Sequence, residues 1–235
     1  MPESLQAPHT AAVLFDLDGT LADTAPDLGA ALNRLLAEEQ RALLPLAQLR
    51  PHVSGGARAL LRAGFGLQPE DPAYAGFNAR FLAHYATSLC VDTVLFPGVP
   101  ELLERLEQEG IRCGIVTNKA QRFALPLVRQ LGLAARAACV VSGDTAVRPK
   151  PHPEPLLFAC AALQVAPART AYVGDDLRDI QAGQAAGLAT VTAAYGYLGG
   201  DSHYSDWQAD AVIAAPADLA DILFRRPCTL PRPPA

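Results

Sequence analysis

The stretch Val13-Leu14-Phe15-Asp16-Leu17-Asp18-Gly19-Thr20 decides how this sequence folds. It begins with an apolar run typical of a buried strand, and the run ends in two carboxylates two positions apart. Side chains two apart on a strand point the same way, so we expect Asp16 and Asp18 together at the strand's carboxyl end. Open α/β sheets bind their ligands at that edge.

Two neighbouring carboxylates repel each other unless a cation or a shared proton relieves them. The pair of Asp16 and Asp18 therefore indicates a divalent metal ion. It also offers one carboxylate as a nucleophile and the other as a proton carrier. A chain built around this pair is expected to be an enzyme.

The second half of the chain alternates short apolar runs with helical patterns, joined by short loops. The predicted strands lie at residues 113–117, 138–142, 170–174, 189–192 and 211–213. The predicted helices lie at residues 97–110, 123–131, 153–163, 177–186 and 216–224. This alternation predicts an α/β fold, with a Rossmann-like, mostly parallel sheet and helices on both faces.

Residues 22–90 have a different character, because Ala, Leu and Arg dominate and apolar residues recur every three or four positions. This pattern predicts about four helices, broken near Pro45, Pro51 and Pro69. Such an insertion after the first strand would lie over the carboxyl edge of the sheet as a cap. The predicted division is a core of residues 11–21 and 91–225, a cap of residues 22–90, and flexible ends at residues 1–10 and 226–235.

Composition narrows the possible partners and location. The 235 residues are 50% hydrophobic and carry a net charge of −5, which gives no footprint for nucleic acid or an anionic membrane. The 5 cysteines form no C-x-x-C pair and are widely scattered, as expected of free thiols in a reducing cytosol. With no secretion signal and no run of about 18 apolar residues, a cytoplasmic protein is expected.

Three further polar signals follow later predicted strands. Thr117-Asn118 ends one strand, Lys150 lies in a proline-flanked loop, and an acidic cluster at residues 174–179 ends another strand. Taken singly, each has an ordinary explanation as a strand-end hydroxyl, a solvated lysine or a helix cap. All of them on the same edge as Asp16 favour a catalytic site.

The segments Asp16-Leu17-Asp18-Gly19-Thr20, Thr117, Lys150 and Gly174-Asp175-Asp176-Leu177-Arg178-Asp179 resemble the four motifs of the haloacid dehalogenase superfamily. The resemblance covers about residues 11–224, and the helical insertion matches the subgroup with a small helical cap. Within it, the pattern is most similar to the phosphoglycolate phosphatases and the related N-acetylmuramic acid 6-phosphate phosphatases.

The resemblance implies a phosphomonoesterase that uses Mg²⁺ and an aspartyl-phosphate intermediate. Asp16 would be the nucleophile, and Asp18 would protonate the leaving group and then deprotonate the attacking water. The metal would be held by the Asp16 carboxylate, the backbone carbonyl of Asp18 and Asp175. Asp179 would not bind the metal directly but would orient its water ligands or Lys150. Asp176 would either support the metal ligands in the same way or serve only as a helix N-cap.

For the phosphoryl group, the resemblance implies contacts from Thr117, the Asn118 backbone and Lys150. Gly19 is a further candidate for phosphate binding, and it fits the turn after the first strand, where a positive φ is expected. In the cap, the candidates for substrate binding are Ser54, Gly55, Gly56 and Arg58. This segment is either an ordinary helix start with a solvated arginine or a backbone cradle with Arg58 on a substrate carboxylate.

The favoured substrate is N-acetylmuramic acid 6-phosphate, and the alternative is 2-phosphoglycolate. A small phosphate ester is the only partner expected, with no nucleic acid and no membrane, and the protein is expected to be a monomer or a homodimer. A sugar phosphomutase would share the motifs and stays open. A receiver-type signalling domain is rejected, because receiver domains place their acceptor Asp on a middle strand, whereas Asp16 follows the first strand here. Receiver domains are also about half the length of this chain. Dehalogenation is the nearest enzymatic alternative, but that reaction needs neither Mg²⁺ nor an acid at the position of Asp18.

Overall fold

The computed structural model describes Leu5 and residues 10–199 and 203–224. Its centre is a six-stranded sheet of β1 (Ala12–Phe15), β4 (Arg112–Val116), β5 (Ala137–Val141), β6 (Thr170–Gly174), β7 (Ala189–Ala193) and β8 (Ala211–Ile213). The strands lie in the order β5-β4-β1-β6-β7-β8, and every neighbouring pair is parallel. The prediction of a mostly parallel α/β sheet is confirmed.

Helices cover both faces of this sheet. They are α5 (Val99–Gln108), α6 (Gln121–Gln130), α7 (Glu154–Leu163), α8 (Leu177–Ala186) and α9 (Pro216–Phe224). Alternate side chains of β1 enter two different apolar clusters, as the period of two in a strand requires. Val13 and Phe15 pack with α5, α6 and α9, whereas Leu14 packs with α7 and α8.

The helical insertion contains four α-helices, namely α1 (Ala25–Glu38), α2 (Leu46–Leu49), α3 (Gly56–Phe65) and α4 (Tyr74–Thr87). A 3₁₀ helix, Arg50–Gly55, connects α2 to α3. The apolar stripe of α1 packs against Leu60, Phe81 and Tyr85 in a third buried cluster, which also includes Phe123 of α6. The cap helices therefore share one apolar cluster with the sheet domain beneath them.

A short antiparallel pair at the base of the insertion was not predicted from the sequence. It joins β2 (Ala22–Asp23) to β3 (Val94–Leu95), so the chain enters and leaves the helical segment side by side. Strands of two residues are too short to produce a periodic pattern, which is why the sequence did not reveal them.

Several composition-based expectations meet the structure only in part. Cys90, Cys113, Cys139 and Cys160 are free thiols, while Cys228 lies outside the described residues. In the described part of the chain, no helix combines the length and the apolar character that crossing a membrane requires. The flexible ends predicted at residues 1–10 and 226–235 fall outside the described residues, apart from Leu5 and Thr10.

Candidate active site

Four neighbouring strands bring the predicted polar residues to one edge of the sheet. Asp16 follows β1, Thr117 follows β4, Lys150 lies in the loop after β5, and Asp175 follows β6. In the sheet these strands are adjacent, in the order β5-β4-β1-β6. The carboxyl ends of parallel strands share one edge, so residues far apart in sequence converge there.

Three carboxylates form the centre of the site. Oxygen atoms of Asp16, Asp175 and Asp179 all lie within 4.8 Å of one another, and all three residues are buried. Burial raises the pKa of Asp16 from 3.8 to about 7, although the nearby Lys150 opposes the shift. Burial, followed by the charges of Asp16 and Asp179, raises the pKa of Asp175 well above its ordinary value. The site is therefore short of positive charge.

Lys150 is the cation at the centre of this cluster. Its buried Nζ lies 3.0 Å from Asp16 Oδ1 and donates hydrogen bonds to Asp179 Oδ1 at 2.7 Å and to Tyr172 Oη at 2.6 Å. Burial lowers the pKa of Lys150, but the charges of Asp16 and Asp179 outweigh it and leave that pKa raised. Lys150 is thus a cation held between the two carboxylates. Because it is buried, the alternative of a solvated loop lysine is wrong.

Asp175 is held from three directions. Thr20 Oγ1 donates to its Oδ1 at 3.1 Å, and the Tyr197 backbone amide donates to its Oδ2 at 2.9 Å. Ser54 Oγ, from the 3₁₀ helix of the cap, donates to Oδ2 at 3.2 Å. Gly19 has a φ of +85°, and a Cβ there would lie 2.1 Å from Asp175 Oδ2. The turn after β1 therefore requires glycine for its backbone and for its space.

Asp176 and Asp179 form a capping box at the start of α8. Asp176 Oδ1 accepts from the Arg178 amide at 2.9 Å, and Asp179 Oδ2 accepts from the Asp176 amide at 3.1 Å. Asp176 also pairs with the Arg178 guanidinium, which reaches the backbone carbonyl of Ser54 at 2.6 Å. The helix-cap interpretation of Asp176 thus has a direct structural basis. Both oxygens of Asp179 accept hydrogen bonds, which suits an orienting role.

The side chain of Asp18 has two partners that sequence reasoning missed. Its Oδ1 accepts from Thr24 Oγ1 at 2.5 Å and from Lys119 Nζ at 2.8 Å. Lys119 is nearly buried, and burial lowers its pKa. The charge of Asp18, together with the contacts of the ammonium group with Asp18 and Tyr85, outweighs burial and leaves that pKa raised. The available signal was the position of Lys119, two residues after Thr117 and on the same strand end.

Thr117 and Asn118 stabilise the loops around the site. Thr117 is buried, and its Oγ1 accepts from the Lys119 amide at 3.2 Å. Asn118 forms a reciprocal pair with Lys150, in which its Nδ2 donates to the Lys150 carbonyl and its Oδ1 accepts from the Lys150 amide, both at 3.0 Å. The side chain of Asn118 therefore fixes the loop that carries Lys150, a role the sequence did not indicate.

A cavity of about 330 Å³ lies between the sheet edge and the cap. The predicted residues that line it are Asp16, Asp18, Ser54, Gly55, Gly56, Thr117, Asn118, Lys150, Asp176 and Asp179. Arg58, the predicted partner of a substrate carboxylate, is exposed in α3 and is absent from the lining. The cationic side chains that do line it are Lys119, Arg122, Lys150 and Arg178.

The residues present fit a hard divalent cation. Asp16 Oδ1 is buried and makes no hydrogen bond with acceptable geometry, even though Lys150 lies close to it. Oxygen atoms of three buried acids surround the same point, and oxygen is the ligand that Mg²⁺ prefers. A bound cation would relieve the repulsion that raises the pKa values of Asp16 and Asp175.

Known proteins are similar to this chain in sequence and in fold. The family model for haloacid dehalogenase-like hydrolases matches residues 13–193. An N-acetylmuramic acid 6-phosphate phosphatase of Pseudomonas aeruginosa is 42% identical over 217 residues, which is 92% of this chain and 96% of that protein. A phosphoglycolate phosphatase of Xanthomonas campestris pv. campestris is 46% identical over 208 residues, covering 88% and 94%.

Among solved structures, a predicted phosphoglycolate phosphatase of Haemophilus somnus superposes with a TM-score of 0.82 at 26% identity, covering 92% of this chain and 99% of that one. Sequence, fold and site geometry thus agree. The chain belongs to the haloacid dehalogenase-like hydrolase family, as a hydrolase of phosphoric monoesters.

Proposed function

We propose that this hydrolase removes the phosphoryl group from N-acetylmuramic acid 6-phosphate, with Asp16 as the nucleophile and Mg²⁺ as cofactor. A carboxylate oxygen of Asp16 attacks phosphorus, and the bond from phosphorus to the ester oxygen breaks. Asp18 gives its proton to the departing sugar alkoxide. Asp18 then takes a proton from the water that attacks the aspartyl-phosphate, which releases inorganic phosphate and restores Asp16.

The neighbours of these two acids support their different roles. Asp16 lies beside Lys150, which can neutralise both the carboxylate and an incoming phosphoryl oxygen. Asp18 has Thr24 and Lys119 as partners and so has donors of its own, apart from the acid cluster. Asp16 and Asp175 would hold the metal together with the backbone carbonyl of Asp18. Asp179 would orient Lys150 or the water ligands of the metal. When bound, Mg²⁺ would supply positive charge for the phosphoryl oxygens.

The size and the lining of the cavity support the larger of the two candidate substrates. Its volume of about 330 Å³ falls in the range of pockets that enclose whole small molecules. Its lining includes the apolar residues Leu28, Val53, Phe81, Leu82 and Phe123. A two-carbon acid would leave most of these side chains without a contact, whereas an acetylated sugar ring would reach more of them. The name of the Pseudomonas aeruginosa relative agrees with this preference.

The second candidate substrate is 2-phosphoglycolate, because the Xanthomonas relative named for that activity has the higher identity of 46%. Steady-state release of inorganic phosphate with Mg²⁺ distinguishes the two. We expect a higher kcat/KM for N-acetylmuramic acid 6-phosphate. A higher value for 2-phosphoglycolate would reverse the assignment, and isomerised sugar phosphate without free phosphate would indicate a phosphomutase.

The proposal includes a cytoplasmic location. It is supported by the four cysteines that the structure describes, all of which are free thiols. Two of them, Cys113 in β4 and Cys160 in α7, are buried, and a buried thiol acts as a small apolar side chain.

A further inference from the structure

The 3₁₀ helix Arg50–Gly55 is a part of the cap that rests directly on the core beside the acid cluster. At its start, the guanidinium of Arg50 pairs with Asp23 of β2, at the base of the cap. The same guanidinium lies 5.8 Å from the ring centroid of Tyr197, a residue of the core. Near the end of the 3₁₀ helix, Ser54 contacts the acidic segment that follows β6. The 3₁₀ helix is therefore docked on the core at both ends.

Ser54 makes two hydrogen bonds with the core, one through its side chain and one through its backbone. Its Oγ donates to Asp175 Oδ2 at 3.2 Å, and its carbonyl accepts from the Arg178 guanidinium at 2.6 Å. A Cβ on Gly199 of the core would lie 3.1 Å from the Cβ of Ser54, so cap and core approach closely at this point. The position of Ser54 is therefore fixed by hydrogen bonds and by packing.

The carboxylate of Asp175 accepts hydrogen bonds from both parts of the protein. The core donors are Thr20 Oγ1, in the turn after β1, and the Tyr197 amide, in the loop after β7. The cap donor is Ser54 Oγ, which reaches Asp175 only while the cap lies on the core. A ligand carboxylate that is already held by donors loses less freedom when it binds a metal ion. The orientation of Asp175 thus depends in part on the position of the cap.

We propose that Ser54 is a positioning residue, which couples closure of the cap to the binding of Mg²⁺ by Asp175. This inference rests on the proposed function, because it uses the metal ligand assigned there. With the cap closed, the Ser54 hydroxyl holds Asp175 in the orientation that binds the metal. With the cap lifted, this donor is lost and Mg²⁺ is held less tightly. Linkage then requires the reverse effect, so that bound Mg²⁺ favours the closed cap by the same factor.

This role differs from both sequence-based interpretations of the segment that contains Ser54. An ordinary helix start would carry a side-chain cap, but α3 begins without one. A backbone cradle concerns Gly55 and Gly56, which line the cavity and have no side chain to contribute. The Ser54 hydroxyl has a separate partner in Asp175, on the core. The side chain therefore acts on the metal ligand, whichever group the backbone of the segment binds.

Ser54→Ala, with Thr20→Val as its matched control, tests the coupling without any substrate. Each variant removes one hydroxyl donor from Asp175, but only Ser54 belongs to the cap. Calorimetric titration with MgCl₂ should show the Kd for Mg²⁺ raised by about three- to tenfold in both variants.

Hydrogen exchange of the peptide that spans Arg50–Gly55 reports the opening of the cap. Saturating Mg²⁺ should slow this exchange by about three- to tenfold in the parent, because linkage makes the two effects equal. The same slowing is expected in Thr20→Val, which keeps the contact between Ser54 and Asp175. In Ser54→Ala, Mg²⁺ should leave the exchange unchanged.

Three results would overturn the inference. An unchanged Kd for Mg²⁺ in Ser54→Ala would show that this hydroxyl does not position Asp175. Exchange in the parent that Mg²⁺ does not slow would show that cap and metal site are independent, and equal slowing in Ser54→Ala would assign the link to another contact. A parent that does not bind Mg²⁺ would overturn the proposed cofactor as well. Failure of the proposed phosphatase function appears separately, as Mg²⁺ binding without release of phosphate from either candidate ester.

Discussion

Replacing the nucleophile should make the metal-free protein more stable while removing its activity. Asp16 is buried within 4.8 Å of two other acids, and its pKa is raised from 3.8 to about 7. A shift of this size corresponds to roughly 4 kcal/mol of destabilisation when Asp16 is ionised. Asp16→Asn removes that cost and also the ion pair with Lys150, which keeps its hydrogen bond to Asp179. We expect a net gain of about 1–3 kcal/mol at pH 8.

The gain should depend on pH in a defined direction. An acid whose pKa is raised by folding holds its proton longer in the folded state, so the parent loses stability as the pH rises from about 4 to about 7. The asparagine variant lacks this loss. The difference in stability should therefore grow across that range and level off above it.

Urea unfolding followed by circular dichroism, with EDTA at several pH values between 5 and 8, measures this difference. Added Mg²⁺ should narrow it, because the metal stabilises only the protein that binds it well. Asp18→Asn is the matched control, since it removes the carboxylate partner of the nearly buried Lys119 and should destabilise by about 1–3 kcal/mol. An Asp16→Asn protein less stable than the parent at pH 8, or a difference independent of pH, would refute the reasoning.

Three further predictions concern single positions. Lys119→Met should lower kcat by about ten- to a hundredfold with little change in KM, because it removes the charged one of the two donors that hold the side chain of Asp18. Steady-state assays of phosphate release test this, and an unchanged kcat contradicts it. Gly19→Ala should raise the Mg²⁺ concentration for half activity, since its Cβ would collide with Asp175, whereas Gly132→Ala, with φ of +73° and open space, should not. Asp175→Asn should weaken the binding of Mg²⁺ in the same titration, because the carboxylate is a metal ligand. An identical dependence on Mg²⁺ in Asp18→Asn would contradict the assignment of Asp18 as the acid and base and of Asp175 as a ligand.

Much of the site could be predicted from the sequence, because strand ends and motif spacing are local features. Asp16, Thr117 and Lys150 follow strands that are adjacent in the sheet, and parallel topology alone brings them to one edge. The buried environment of Lys150 was not predictable, since its contacts to Tyr172 and Asp179 join residues from different strands and helices.

The residues that the sequence missed are those whose importance depends on packing between elements. Lys119 matters because the fold places its ammonium group on Asp18, and the side chain of Asn118 matters because it holds the loop that carries Lys150. Arg58 and Arg122 look alike in the sequence, as single cations near a helix start. Only the direction in which each helix faces the cavity separates them, and that direction is set by tertiary contacts.

Trapping the covalent intermediate tests the central claim most directly. Acetyl phosphate has a leaving group that needs no proton, so Asp18→Asn should still transfer the phosphoryl group to Asp16 but lack the base that hydrolyses it. Acid quenching followed by mass spectrometry of peptides should find one phosphoryl group on the peptide that contains Asp16, and none when Asp16→Asn is added. Absence of the adduct, or a phosphoryl group on a different residue, would contradict the account.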